Sequence, residues 1–140
     1  MSPDADGSDD PTDVRAVAVT TEDVVAALET NRRTSRRTVL RVTPPFSGRM
    51  RARLHRPDGD EGAAIRLDPE RLVEEVPAYP DPDETADELR AADAYDPETH
   101  RERHVEAVRA WRESVREAVV DAVDVATPDG PHRIEVSWLG

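Results

Sequence analysis

Residues 49–55, RMRARLH, alternate without a break: Met50, Ala52 and Leu54 fall on one side, Arg49, Arg51, Arg53 and His55 on the other. A period of two marks a strand with one face in a core and one in water. It also fixes register, because a slip of one residue would bury the guanidinium groups. A partner strand lies just upstream. TVLRVT (38–43) and RMRARLH flank PPFSG, a five-residue, Gly-containing connection of the length and composition of a hairpin loop. Strands are therefore expected near 37–43 and 49–56.

Three more segments carry strand patterns: VRAVAV near 14–19, AAIRL near 63–67, and HRIEVSWL near 132–139, where Ile134, Val136 and Trp138 alternate inward. TTEDVVAALETNRR opens like a helix near 21–33, with Thr20 or Thr21 as N-cap, Glu22 and Asp23 in the first turn, and Val24, Val25 and Leu28 as its apolar face. Asp68 before Pro69 and Asp96 before Pro97 repeat a cap-then-proline signal, which opens helices near 69–76 and 97–125. Along the longer one Val105, Val108, Trp111, Val115, Ala118, Val119 and Ala122 form one stripe. A short helix near 83–92 interrupts the Pro-rich tract 77–97, which otherwise reads as loop. The expected fold is α+β: a two-layer sandwich of one small, mainly antiparallel sheet with helices on one face. A chain of 140 residues fits a single domain. That domain is expected over 14–140, behind a disordered acidic leader, MSPDADGSDDPTD, at 1–13.

Charge gives the alternating strand its functional interest. Residues 31–57 carry nine Arg and no Asp or Glu, although the whole chain has a formal net charge of −12. The remainder holds 31 carboxylates against 10 Arg, or −21. Successive Arg on one strand face stand ~6.6–6.8 Å apart, a row of forks suited to carboxylates or phosphates. Phe46, between Arg41 and Arg49 at the hairpin tip, is expected to add a stacking surface for a base. The candidate working surface is thus Arg41, Phe46, Arg49, Arg51, Arg53 and His55. Charge runs are most often neutralised within their own protein. Residues 68–98, with twelve Asp or Glu against two Arg, and Glu135 on the last strand are the expected cover. The leading functional reading is a non-enzymatic interaction or accessory module, without a cofactor, whose Arg face meets a protein partner or a second copy. The alternative is nucleic acid or another phosphorylated ligand bound by the same row.

A metal-dependent enzyme built on His100 and His104 comes third. The two stand at i and i+4 on one helix face, but a zincin needs Glu directly after the first His, and Arg101 sits there. DADGSDD is no EF-hand, because the places requiring Gly and Glu hold Asp9 and Arg15. Gly-x-Gly-x-x-Gly, Walker and Gly-x-Ser-x-Gly motifs are absent, and so is Cys, which removes disulfide frames and thiolate metal sites. No run of ~18 apolar residues occurs, so no membrane association is expected and the cytoplasm is the expected compartment. Trp111 and Trp138 read as core anchors, and Tyr79 and Tyr95 as pins at the two ends of the acidic loop.

All 19 basic residues are Arg, Lys is absent, and the pI is near 4.7. This composition resembles that of proteins from salt-accumulating halophilic archaea, whose acidity reports the solvent rather than a basic partner. Taken with it, VTTEDVVAALETNRR, RTVLRVTPPFSGRMRARLH, DAYDPETHRERH and HRIEVSWLG resemble a family of small haloarchaeal domains with no assigned activity. The resemblance covers nearly all residues after about 13. It implies lineage and single-domain size, and it transfers no site residue.

Overall fold

A computed structural model describes residues 7–56 and 62–140. The chain divides into two compact units, Met1–Glu74 with Val119–Gly140, and Glu75–Ala118. The class is α+β, with three helices and two sheets in which antiparallel pairings predominate.

In chain order the first unit contains β1 (Ala16–Thr20), α1 (Thr21–Arg33), β2 (Val39–Val42), β3 (Arg49–Arg51), β4 (Arg53–His55), β5 (Ile65–Leu67), β6 (Ala122–Thr127) and β7 (Gly130–Leu139). One sheet runs β3-β1-β7-β6 and the other β4-β2-β5. β1 lies parallel to both β3 and β7, while β6–β7, β2–β4 and β2–β5 are antiparallel. The single sheet expected from the sequence is therefore two. The expected strand 49–56 is divided at Ala52, which is fully buried and donates its N–H to Ala18 O at 3.1 Å. Up to that residue the chain pairs with β1; beyond it, with β2.

Helix α1 packs against β1, β2 and β4, so one helix spans strands of both sheets. Its apolar side, Val24, Val25, Ala27 and Leu28, joins Val17, Val19, Leu40, Val42, Leu67 and Ile134 in the core. Thr20 is the N-cap but makes no side-chain cap bond, and Arg32 and Arg33 in the last turn complement the helix dipole.

Two expected helices are corrected. Over 69–76 only a 3-10 turn forms, Pro69–Leu72. Leu72 O is taken by Val120 N at 3.0 Å, Val73 is extended and bridges Val119, and Pro77 disfavours the α region for Val76. The helix expected to reach residue 125 stops at Glu117, and Ala122–Thr127 is β6. There Val123 and Val125 are buried while Asp124 is exposed, a period of two that β-branched residues favour once a partner strand is present. The β6–β7 turn closes at Gly130, whose φ of +109° is a conformation that only glycine adopts without strain.

Residues 1–6 of the expected leader lie outside the described residues. From Gly7 onward the chain lies against the hairpin tip, where Ser8 exchanges backbone bonds with Phe46 at 2.8 and 2.6 Å. Gly7 has a φ of +89°, and a Cβ there would stand 2.6 Å from Phe46 O. Asp10 caps the 3-10 turn Pro11–Asp13 through Thr12, and those hydrogen bonds hold its carboxyl below the usual carboxylate range.

The second unit contains α2 (Pro82–Ala91) and α3 (Pro97–Glu117), packed on each other. Asp81 and Asp96 cap them through Asp83 N and Thr99 N, each followed by proline at the first helical position. Val108, Trp111 and Val115 are the buried part of the α3 stripe, whereas Val105 is 49% exposed. Trp111 donates Nε1–H to Pro77 O at 2.8 Å and meets the Tyr79 ring edge-on at 4.9 Å. Tyr95 lies under the Arg90 guanidinium, 4.5 Å from the ring centroid.

Candidate functional site

The β2 register assembles a feature that the sequence does not display. Arg41 on the central strand faces Arg53 of β4 on one side and Arg66 of β5 on the other. Residues directly opposite in antiparallel strands stand about 4.5–5.5 Å apart at Cα and point to the same face. Three guanidinium stems thus form one line across the sheet, an arrangement that like-charge repulsion opposes. Arg53 and Arg66 are exposed and Arg41 is half-buried.

Little in the same unit balances this line. Among its described residues the one ion pair made by Arg41, Arg53 or Arg66 is Arg66 Nε to Asp68 Oδ1 at 3.1 Å. Arg41 Nη1 stands 3.2 Å from His55 Nε2. A guanidinium only donates, so the His55 nitrogen is the acceptor of this contact. His55, on β4 and opposite Val39, thus touches the middle member of the line.

The remaining candidates divide. Arg49 and Arg51 are exposed on β3, at the edge of the other sheet, and Arg51 Nη2 donates to Thr20 Oγ1 at 3.3 Å. Glu135 lies in register with Arg49, but Ala16 of β1 stands between them. Two strand spacings, ~9.6 Å, separate them, and no ion pair forms. Phe46 is corrected outright: at 1% exposure it is among the largest fully buried side chains, and its ring offers no face to a base.

The sequence reading also missed a cleft. Ser35, Arg36, Arg37, Arg56 and Arg66 line a hollow of about 610 Å³ at the end of the three-stranded sheet. Arg37 precedes β2, Arg56 follows β4, and Arg66 belongs to β5, so each strand brings one guanidinium to it. Arg36, Arg37 and Arg56 make no ion pair among the described residues. The nine-Arg run 31–57 contained three of the four cleft arginines; Arg66, alone between Ile65 and Leu67, gave no signal beyond its own alternation.

His100 and His104 lie on α3 as the spacing predicts. His100 donates Nε2–H to Pro82 O at 2.8 Å, and His104 Nδ1 is buried without a hydrogen-bond partner. Among the described residues no group of three or more His, Asp or Glu is placed to hold a metal ion. No described helix is long and apolar enough to cross a membrane.

No curated protein and no solved structure matches the chain. Residues 3–140 match one family, described as a domain of unknown function (DUF8009), so the chain belongs to that family.

Proposed function

We propose that this domain is an accessory interaction module that docks an acidic protein surface on the arginine face of its three-stranded sheet. The observation that carries the reading is the register Arg53–Arg41–Arg66, three like charges in line with one carboxylate paired to them among the described residues of their unit. Carboxylates from a partner would convert that repulsion into bidentate, charge-assisted pairs. Burial of Phe46 favours carboxylates over the bases of a nucleic acid, because the aromatic platform that base stacking requires is missing from the face. The acidic, lysine-free composition supports a salt-accumulating cytoplasm as the setting. At about 1 M salt the Debye length is roughly 3 Å, so long-range attraction is screened and short arginine–carboxylate contacts carry the affinity.

The test is a pull-down in concentrated KCl with two variants of equal charge change. Arg41→Gln with Arg53→Gln is expected to reduce retention of the partner at least about tenfold, roughly 1.4 kcal/mol. Arg101→Gln with Arg103→Gln, exposed on α3, is expected to retain it. Equal retention by both pairs, or equal loss, sinks the assignment of the face.

A further inference from the structure

We infer that the cleft of Ser35, Arg36, Arg37, Arg56 and Arg66, which shares Arg66 with the docking face, is a second site that binds a linear oligophosphate, either inorganic triphosphate or the phosphate chain of a nucleotide. It goes beyond protein docking, because the cleft is concave where the arginine line is a sheet face. Its volume is about 610 Å³ and it is open to solvent, as a site for a highly charged ligand can be.

Charge selects the ligand class. Among the described residues four guanidinium groups converge on the hollow, and only Arg66 has a carboxylate partner, Asp68. Among the described residues three positive charges remain. A single carboxylate would balance one of them, whereas an oligophosphate carries about one negative charge per phosphate and nearly two on its terminal group. It also presents many oxygens in a short length, which suits planar forks arriving from the α1–β2 connection, the residue after β4 and β5 itself. The Ser35 hydroxyl adds a neutral donor. No aromatic side chain lines the cleft among the described residues, so the phosphate chain rather than a base is the recognised part.

The wall carrying Ser35, Arg36 and Arg37 is fastened at both ends. Thr34 Oγ1 donates to Thr30 O at 2.7 Å and accepts from Arg36 N at 3.1 Å. The Asn31 amide takes both backbone groups of Thr38, donating to Thr38 O at 2.9 Å and accepting from Thr38 N at 2.7 Å. The connection thus holds its shape before a ligand arrives, which lowers the ordering cost of binding.

Isothermal titration of the full chain with sodium tripolyphosphate, ionic strength matched with KCl, tests the site. Saturable 1:1 binding is expected, weakened at least about tenfold by Arg36→Gln with Arg56→Gln and changed less than about twofold by Arg41→Gln with Arg53→Gln. Both cleft residues are exposed, so the first pair is expected to keep the wild-type circular dichroism spectrum and to retain the protein partner in the pull-down. ATP is expected to bind within about threefold of triphosphate. Absence of saturation, equal weakening by both pairs, or ATP binding more than about tenfold tighter than triphosphate would overturn the inference. Because the cleft pair leaves Arg41 and Arg53 intact, failure here leaves the docking reading standing, and failure of the pull-down leaves this one standing.

Discussion

Replacing Phe46 with Ala is expected to lower the unfolding free energy by about 3–5 kcal/mol, the usual cost of emptying a buried aromatic site. The ring is 1% exposed although it sits at the tip of the β2–β3 connection, where an aromatic residue would ordinarily meet water. It stays inside because the chain at Gly7 and Ser8 lies over the tip, with Ser8 and Phe46 bonded backbone to backbone in both directions. Phe46→Leu, which keeps most of the volume, is expected to cost less than about 1.5 kcal/mol and to leave partner retention unchanged. Urea denaturation followed by circular dichroism reads both variants. A loss within about 0.5 kcal/mol of wild type for Phe46→Ala would mean a surface ring, as a stacking role requires.

Trp111→Ala carries the other large stability effect, also about 3–5 kcal/mol. Trp111 is 3% exposed and is the largest buried side chain of α3. Its Nε1–H satisfies Pro77 O, and its ring meets Tyr79 at an interplanar angle of 83°, the edge-to-face geometry that aromatic quadrupoles favour. One side chain thus fixes the start of the Pro-rich tract, with α2 and the α3 cap following. Trp111→Phe separates packing from hydrogen bonding: it keeps the ring, leaves the Pro77 carbonyl unpaired and is expected to cost about 1–3 kcal/mol. Equal losses for the two variants would show that the hydrogen bond, and not the ring volume, dominates.

The sequence was most informative where local chemistry decides the outcome. Helix α1 begins and ends where its acidic first turn and apolar spacing place it, and the cap-then-proline signal at Asp96 opens α3, whereas the same signal at Asp68 opens only the 3-10 turn Pro69–Leu72. It was least informative where long-range pairing decides. The segment Ala118–Ala126 satisfies a helical stripe and, over its second half, a strand alternation; Val119 instead bridges Val73, and pairing with β7 makes a strand of the residues from Ala122 onward. RMRARLH was legible as extended, but its division at Ala52 between two sheets depends on β1 and β2, which the segment itself cannot specify. The same limit governs the candidate site. Arg41 and Arg53 were visible as members of one hairpin, whereas Arg66 joins them only through the β2–β5 register. Of the cleft arginines, Arg36, Arg37 and Arg56 lie just outside the alternating positions, in the connection before β2 and the residue after β4, where no periodicity marks them. Phe46 shows the converse error: a turn-like neighbourhood of Pro44, Pro45, Ser47 and Gly48 reads as exposed, and burial comes from a segment almost forty residues earlier.

The central claim is that the line Arg53–Arg41–Arg66, to which one carboxylate is paired among the described residues, is like-charge repulsion held ready for a partner. Its most direct measurement is the unfolding free energy of wild type and Arg41→Gln in 0.1 M and in 1 M KCl. Removing the middle charge is expected to raise stability by about 0.5–1 kcal/mol in dilute salt, since two like-charge neighbours lose their repulsion together. At 1 M, with the Debye length reduced from about 10 Å to about 3 Å, the difference is expected to shrink towards zero. An Arg41→Gln protein that is less stable than wild type in 0.1 M KCl, or a difference indifferent to salt, would contradict the account and show the charge line already neutralised.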